Sequence, residues 1–289
     1  MEADLFLEPG SILFAWGSSM KSSRDYEILD VVGSIDLYGY HEDIRDKARF
    51  NTISNFIQVS KSKVIIVDQY NGCLRELDRL TGATSHYAGR CAARGYADGD
   101  ANHTQFNNPS DILLDVRSNN ALIVVDDANS ALRSIEMTTK STTTIIRDTE
   151  NLKRPRFATF NNYDSNILYV TVKFQIIKVS LADQTLSVVF GSQVPRGFAD
   201  GSFHEALIGY WPAEILQIDK IHLAVADFWN HNVRLLDLSN KKVKSLCRTE
   251  INGTFTNGID CNLQNPHSLL LQNDTLFVGD SSDIYLFPG

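Results

Sequence analysis

The chain has 289 residues, 43% of them hydrophobic and 21% charged, a composition that folds and is not that of a disordered tail. A net charge of −8 removes the phosphate counterion release that drives nucleic-acid binding, so nucleic acid is not expected as a partner. No stretch approaches eighteen uninterrupted apolar residues, so no membrane insertion is expected, and Met1-Glu2-Ala3-Asp4 lacks the basic and apolar regions of a signal peptide.

Taken in order, the chain repeats a short apolar strand followed by a polar turn. The copies are Ile12 to Trp16, Val64 to Asp68, Leu122 to Asp126, Leu168 to Val172, Leu223 to Asp227 and Leu276 to Asp280. Their last residues are spaced by roughly 46 to 58 positions, the range of propeller blades. Continuous β-branched runs of this kind suit strands buried on both faces.

Each copy sits in a longer unit. An apolar run precedes it, often behind a proline: Pro109 before Ile112, Pro155 before Phe157, Pro212 before Ile215, Pro266 before Leu269. Proline fits the approach to a strand and not its interior. A tight turn follows, carrying Asn71, Asn129, Asn230 or Asp283, residues that tolerate turn geometry. Four residues beyond the three asparagines stand Arg75, Arg133 and Arg234. A last strand closes the unit, as at Ala83 to Ala88 or Val243 to Leu246.

The expectation is an all-β, six-bladed β-propeller forming one domain over 1–289, with blades at about 1–33, 34–89, 90–146, 147–191, 192–247 and 248–289. The start aligns with an innermost strand at His267 to Leu276, and Ile284 to Phe287 reads as a third strand, so the outer strand of the last blade is expected to lie outside a fragment of a longer protein.

The strongest repeat runs from Gly95-Tyr96-Ala97-Asp98-Gly99 through Phe106, Pro109 and Asp126 to Asn129 and Arg133, and returns as Gly197-Phe198-Ala199-Asp200-Gly201, Pro212, Asp227, Asn230 and Arg234. This pattern resembles the NHL-repeat family of β-propellers over nearly the whole chain. The second blade follows it through Gly39 to Asp43. The fourth departs from it, with Val172 and Gln175 at the Asp and Asn positions, and the first has Trp16 in place of the Asp.

The family includes peptidyl-hydroxyglycine amidating lyases, in which histidines directly after the strand-entering proline hold a zinc. Here only Pro266-His267 matches, while Ser110 and Arg156 stand at equivalent places. Catalytic zinc needs three converging protein ligands. The resemblance therefore implies central-channel residues His267, Arg156 and Ser110, with no metal ligand set, no cofactor and no catalytic residue. Asp126-Asp127 does not read as a catalytic pair, since Asp126 recurs as Asp68, Asp227 and Asp280 and reads as structural. Asp98-Gly99 and Asp200-Gly201 read as turn chemistry.

Cys73, at the start of a third strand, faces Cys91, just past the end of the fourth, across an antiparallel pair, so a disulfide is expected; Cys247 and Cys261 form a second expected pair. Three sequons, at Asn102, Asn252 and Asn273, fall in expected turns and mark glycosylation candidates. Together these point to an extracellular or cell-surface protein.

What remains for function is loop surface. Phe228-Trp229 occupies a turn where other blades carry small or polar residues, apart from Tyr70. Tyr210-Trp211 precedes Pro212, and Arg90, Arg94 and Tyr96 gather after the second blade. Aromatics and arginine are the anchors of protein interfaces. The expected function is non-enzymatic recognition of protein partners through these loops, in a receptor or adhesion ectodomain. The alternative is an enzyme with a metal-assisted site in the channel, lyase-like or lactonase-like.

Overall fold

The computed structural model describes residues 12–16, 19–24, 27–34, 36–191, 197–248, 250–251, 254–255, 259–260, 263–280 and 284–288, with side chains for 32–34, 36–191, 197–247, 263–280 and 285–287. The chain divides into two compact units, 1–149 and 150–289.

The first unit holds two four-stranded antiparallel meanders. One runs Ile53–Gln58, Lys63–Asp68, Cys73–Asp78, Thr84–Ala88; the other runs Pro109–Leu114, Ala121–Asp126, Ala131–Glu136, Thr142–Arg147. In each, the second strand is an apolar run buried on both faces, as its uninterrupted β-branched sequence requires: Val64 to Val67 and Leu122 to Val125 have no exposure. Phe106 is buried with Ile65, Val67, Leu74, Ile112, Leu122 and Val124, so the two sheets share one core. Before them lies a three-stranded meander, Ile12–Trp16, Ser19–Arg24, Glu27–Gly33, described by its backbone apart from Val32 and Gly33.

The second unit repeats the plan. Its sheets are Ala158–Asn161, Asp164–Val172, Gln175–Ser180, Thr185–Gly191, and Ile215–Gln217, His222–Asp227, Asn232–Asp237, Lys242–Ser245 with the short edge strand Gly201–Ser202. A three-stranded meander follows, Ser268–Gln272, Thr275–Gly279, Ile284–Pro288. Two cores fill the unit, one around Tyr169, Phe190, Ile208 and Val225 and one around Ala224, Val233, Leu269 and Val278.

The blade count corrects the expected six: the structure supports five. Two sheets have only three strands, the one over Ile12–Gly33 and the one over Ser268–Pro288, and the middle strand of the former, Ser19–Arg24, carries a single apolar residue, Met20. Residues 1–11, on which the innermost-strand alignment rests, lie outside the described residues. The fourth strand of the fifth sheet ends at Ser245, so Cys247 lies beyond it, opening a two-residue strand, Cys247–Arg248, that pairs parallel with Ile259–Asp260.

A buried polar frame recurs in three sheets. Each Asp at the end of the second strand is followed by a single turn of 3-10 helix, Gln69–Asn71, Asp127–Asn129 or Phe228–Asn230. The residue after the turn is left-handed: Gly72, Ser130 and His231 have φ of 69°, 54° and 51°. The turn asparagine then reaches back. Asn129 Nδ2 donates to Asp126 at 2.8 Å and to Gly95 O at 2.7 Å, as Asn71 does to Asp68 and Gly39 O and Asn230 to Asp227 and Gly197 O.

The arginine closes the frame. Arg75, Arg133 and Arg234 are fully buried. Arg133 donates to Asp126, to Gln105 O and Ala97 O, and to Asp98. Its guanidinium lies 4.9 Å from the Tyr96 ring centre and 5.3 Å from that of Phe106. Arg75 sits likewise between Tyr40 and Phe50, and Arg234 lies over Phe198. A charge this buried is tolerated because carboxylate, carbonyls and ring faces replace its water. Asp98 is more than turn chemistry: it joins Arg133 to the N–H and hydroxyl of Thr144 on the fourth strand, and Asp200 joins Arg234 to Ser245.

Candidate functional site

The Asp of each frame also fixes the loop that approaches its sheet. Asp68 Oδ1 accepts the Asn51 N–H and Asp126 Oδ1 that of Asn107, both at 2.8 Å; Asp227 Oδ1 accepts the Gly209 N–H at 2.9 Å. In the second unit one carboxylate therefore holds two segments together, the turn Phe228–Asn230 and the connection through Gly209. Only glycine permits the approach. A Cβ on residue 209 would stand 2.5 Å from Asp227 Oδ1 and 3.3 Å from Trp229 Cβ.

The side chains carried by those two segments face one cleft. Tyr210, Trp211 and Trp229, with Asn230, Gly197 and Gly209, line an open cleft of about 580 Å³ within the second unit. Trp229 is 55% exposed, which marks it as a displayed side chain rather than a core one. Tyr210 and Trp211 are half-buried and set edge to face, with ring centres 4.4 Å apart; Phe228 is half-buried and stands in the same relation to Trp229, 5.4 Å away. Of the two aromatic pairs singled out from the sequence, eighteen positions apart, Tyr210, Trp211 and Trp229 thus line one cleft, with Phe228 packed edge to face against Trp229.

The cluster extends to residues that the sequence analysis left out. Phe174, in the turn between Asp164–Val172 and Gln175–Ser180, meets Tyr210 edge to face at 5.1 Å. Lys173 Nζ lies 4.6 Å from the Tyr210 ring centre and 5.1 Å from that of Phe174. Arg156, expected in a channel, lies with its guanidinium 5.7 Å from the Trp211 ring centre. The signal for Phe174 was available: it is an aromatic in the between-strand turn that carries Tyr70 and Trp229 in other sheets.

Arg90, Arg94 and Tyr96 belong to the first unit and do not form one group. Arg94 stacks 5.5 Å from the Tyr70 ring centre and donates to Tyr70 O at 2.6 Å. Tyr96 lies between Arg133 and Arg147, and its hydroxyl is 2.9 Å from that of Thr144. Arg90 is exposed, with its N–H bonded to Thr104 O. Ser110 has no exposure, and its hydroxyl donates to Val125 O at 3.4 Å. His267 is exposed, with Nδ1 3.2 Å from Asn265 O. Among the described residues, no group of three or more His, Cys, Asp or Glu could hold a metal ion.

Cys73 and Cys91 form a disulfide, with Cα atoms 5.0 Å apart, across the end of the strand pair where the sequence places it. Cys247 is buried and disulfide-bonded, while Cys261 lies outside the described residues. Asn102 and Asn273 are exposed in turns; Asn252 lies outside the described residues. No helix among the described residues is long and apolar enough to cross a membrane.

Burial raises the frame carboxylates. Asp68 and Asp126 are pushed up to about 6 by loss of water, against the lowering effect of their Asn, N–H and Arg partners, and Asp227 is raised for the same reason. These groups are committed to the frame and are not presented to a ligand.

No family model matches the chain, and no curated protein matches it. Solved structures do. A chain of a nidogen/laminin complex is similar at 12% identity over 96% of this chain and 89% of its own, with a TM-score of 0.64. An auxiliary nutrient binding protein from Bacteroides thetaiotaomicron is similar at 14% identity over 96% of this chain and 66% of its own, with a TM-score of 0.68. Virginiamycin B lyase from Staphylococcus aureus is similar at 12% identity over 95% and 75%, with a TM-score of 0.58. Likeness at these identities establishes the fold and nothing finer: the chain is an all-β propeller.

Proposed function

We propose that this chain is a non-enzymatic protein-recognition module of the NHL type, acting outside the cell as part of a receptor or adhesion factor. The observation that carries the reading is the convergence of Tyr210, Trp211 and Trp229 on one open cleft. These are the residue types that anchor interfaces, and they sit on turns held by a buried frame. The same frame displays Tyr70 and Ala128 in the first unit, so the frame is general, and in the second unit it brings Trp229 to the cleft lined by Tyr210 and Trp211. The disulfide and the exposed sequons at Asn102 and Asn273 support an oxidising, glycosylating compartment. That known structures of this fold include a chain of a nidogen/laminin complex and a nutrient binding protein is compatible with a binding role.

The test is affinity capture from the extracellular proteome of the source with disulfide-intact protein, run beside Trp229→Ala. A stoichiometric protein lost in the variant supports the reading. No partner, or one retained equally by the variant, overturns it.

A further inference from the structure

The cleft carries information about the chemistry of what it binds, beyond the recognition reading on which this inference rests. Its walls are rings, and two of those rings have cations of this chain set over them: Lys173 over Tyr210, and Arg156 over Trp211. No carboxylate is paired with Lys173 among the described residues, although the chain as a whole carries eight more negative charges than positive ones. The carboxylates of the supporting segments are already engaged. Asp227 is buried against Arg234, Asn230 and the Gly209 N–H, and Glu214 accepts the Leu269 N–H at 2.8 Å.

This arrangement selects by charge. An aromatic ring attracts a cation through the negative potential of its face. Where a lysine or arginine of the same chain already sits over that ring, a second cation gains less and is repelled by the first. The aromatic cluster is therefore not a cage for a lysine, an arginine or a quaternary ammonium. The ammonium beside Tyr210 and the guanidinium beside Trp211 favour an anionic ligand, while the rings favour apolar carbon. The cleft is open and sits between two turns, a shape that admits a length of chain rather than an enclosed small molecule.

We propose that the cleft formed by Tyr210, Trp211 and Trp229 binds an acidic peptide segment, with an apolar residue of that segment between the rings and a flanking carboxylate against Lys173. Phe174 is part of the device: it meets Tyr210 edge to face and shares the Lys173 ammonium with it. This lysine is the specificity-determining residue, because it lies against the Tyr210 ring and no carboxylate is paired with it among the described residues.

Binding of three synthetic peptides tests this, measured by calorimetry on the intact chain: Glu-Asp-Pro-Leu-Asp-Glu with capped ends, the same peptide with Gln and Asn for its acids, and the same with Lys. The acidic peptide binds, the amide peptide binds about three- to tenfold more weakly, as one partly exposed charge pair allows, and the lysine peptide does not bind measurably. Lys173→Glu, whose fold is checked by its unfolding midpoint, erases the preference for acid over amide, while Trp229→Ala weakens the acidic and amide peptides alike. Equal affinity for the acidic and amide peptides, or a preference that survives Lys173→Glu, overturns the proposal, as does failure of all three peptides to bind. Each of these outcomes leaves the recognition reading standing if a captured protein still depends on Trp229. Capture that ignores Trp229 overturns that reading instead.

Discussion

Arg133 Nη1 donates to Asp126 Oδ2 at 2.9 Å, seven positions back along the chain, and neither side chain has any exposure. The pair lies between the two central strands of its sheet, and the same pair recurs as Arg75 with Asp68 and Arg234 with Asp227. A buried ion pair adds little to stability over an apolar replacement, but removing one partner strands the other. Arg133→Ala is expected to cost about 3–5 kcal/mol in denaturant unfolding, because Asp126 is left uncompensated. The charge-neutral double variant Arg133→Met with Asp126→Asn is expected to recover part of that loss. A loss below about 1 kcal/mol for Arg133→Ala, the scale of an exposed pair, would show that the pair is not the keystone of its sheet.

The frame also sets a pH dependence. Asp68 and Asp126 are raised to about 6 by burial, above the usual carboxylate value near 4. The folded chain therefore holds protons that the unfolded chain releases between those values. Their contribution to stability is full below the unfolded value and is lost as pH rises through about 6. Glu136 behaves oppositely: held at about 2 by the hydroxyl and N–H of Thr139, it adds stability at neutral pH that is lost only in strong acid. Carbon-detected NMR of the carboxyl groups should give midpoints about 6 for Asp68 and Asp126, far above that of Glu136. Midpoints near 4 for the frame carboxylates would mean that their partners outweigh burial.

Much of this frame was legible in the sequence, and its physics explains what was not. The apolar second strands announced themselves because a strand buried on both faces needs an unbroken run such as Val64 to Val67. The turn asparagines and the arginines four positions later repeat at fixed offsets, so their role was visible without coordinates. Asp98 was read only as a turn residue, because its bonds to Arg133 and Thr144 span 35 and 46 positions. Phe174 and Lys173 were missed because their sheet lacks the Asp and Asn of the motif, though its turn occupies the same place. The aromatic pairs at 210–211 and 228–229 were legible as unusual loop residues. Their meeting was not, since it depends on the bond from Gly209 to Asp227.

A second repeat went unread. Gly33 and Gly191 end the last strands of their sheets and Gly89 follows one directly, with φ of 87°, 95° and 90°. At Gly191 a Cβ would stand 2.2 Å from Phe174 O, in the turn that supports the aromatic cluster. Gly191→Ala is expected to cost at least about 1–2 kcal/mol from the backbone conformation alone, and more from the collision. Thermal unfolding checks this, and an unchanged midpoint would show that the turn moves aside freely.

The disulfide between Cys73 and Cys91 closes a segment of 18 residues. Chain-entropy arguments give about 3 kcal/mol for a loop of this size. Replacing both cysteines with alanine should lower stability by that order. Because Arg94 grips Tyr70 just beyond the bridge, faster hydrogen exchange is expected first at Arg90 to Tyr96. Exchange that is faster elsewhere but unchanged in that segment would place the effect in the unfolded chain.

The central claim is that the aromatic cleft of the second unit is the recognition surface, and its most direct test is the affinity of a captured partner for the native chain and for Trp229→Ala, measured on proteins of equal unfolding midpoint. An exposed tryptophan acting as an interface anchor should make the variant bind at least about thirtyfold more weakly, the scale of a hot-spot residue. Equal affinity for the two proteins would contradict the claim and move the binding surface away from Trp229.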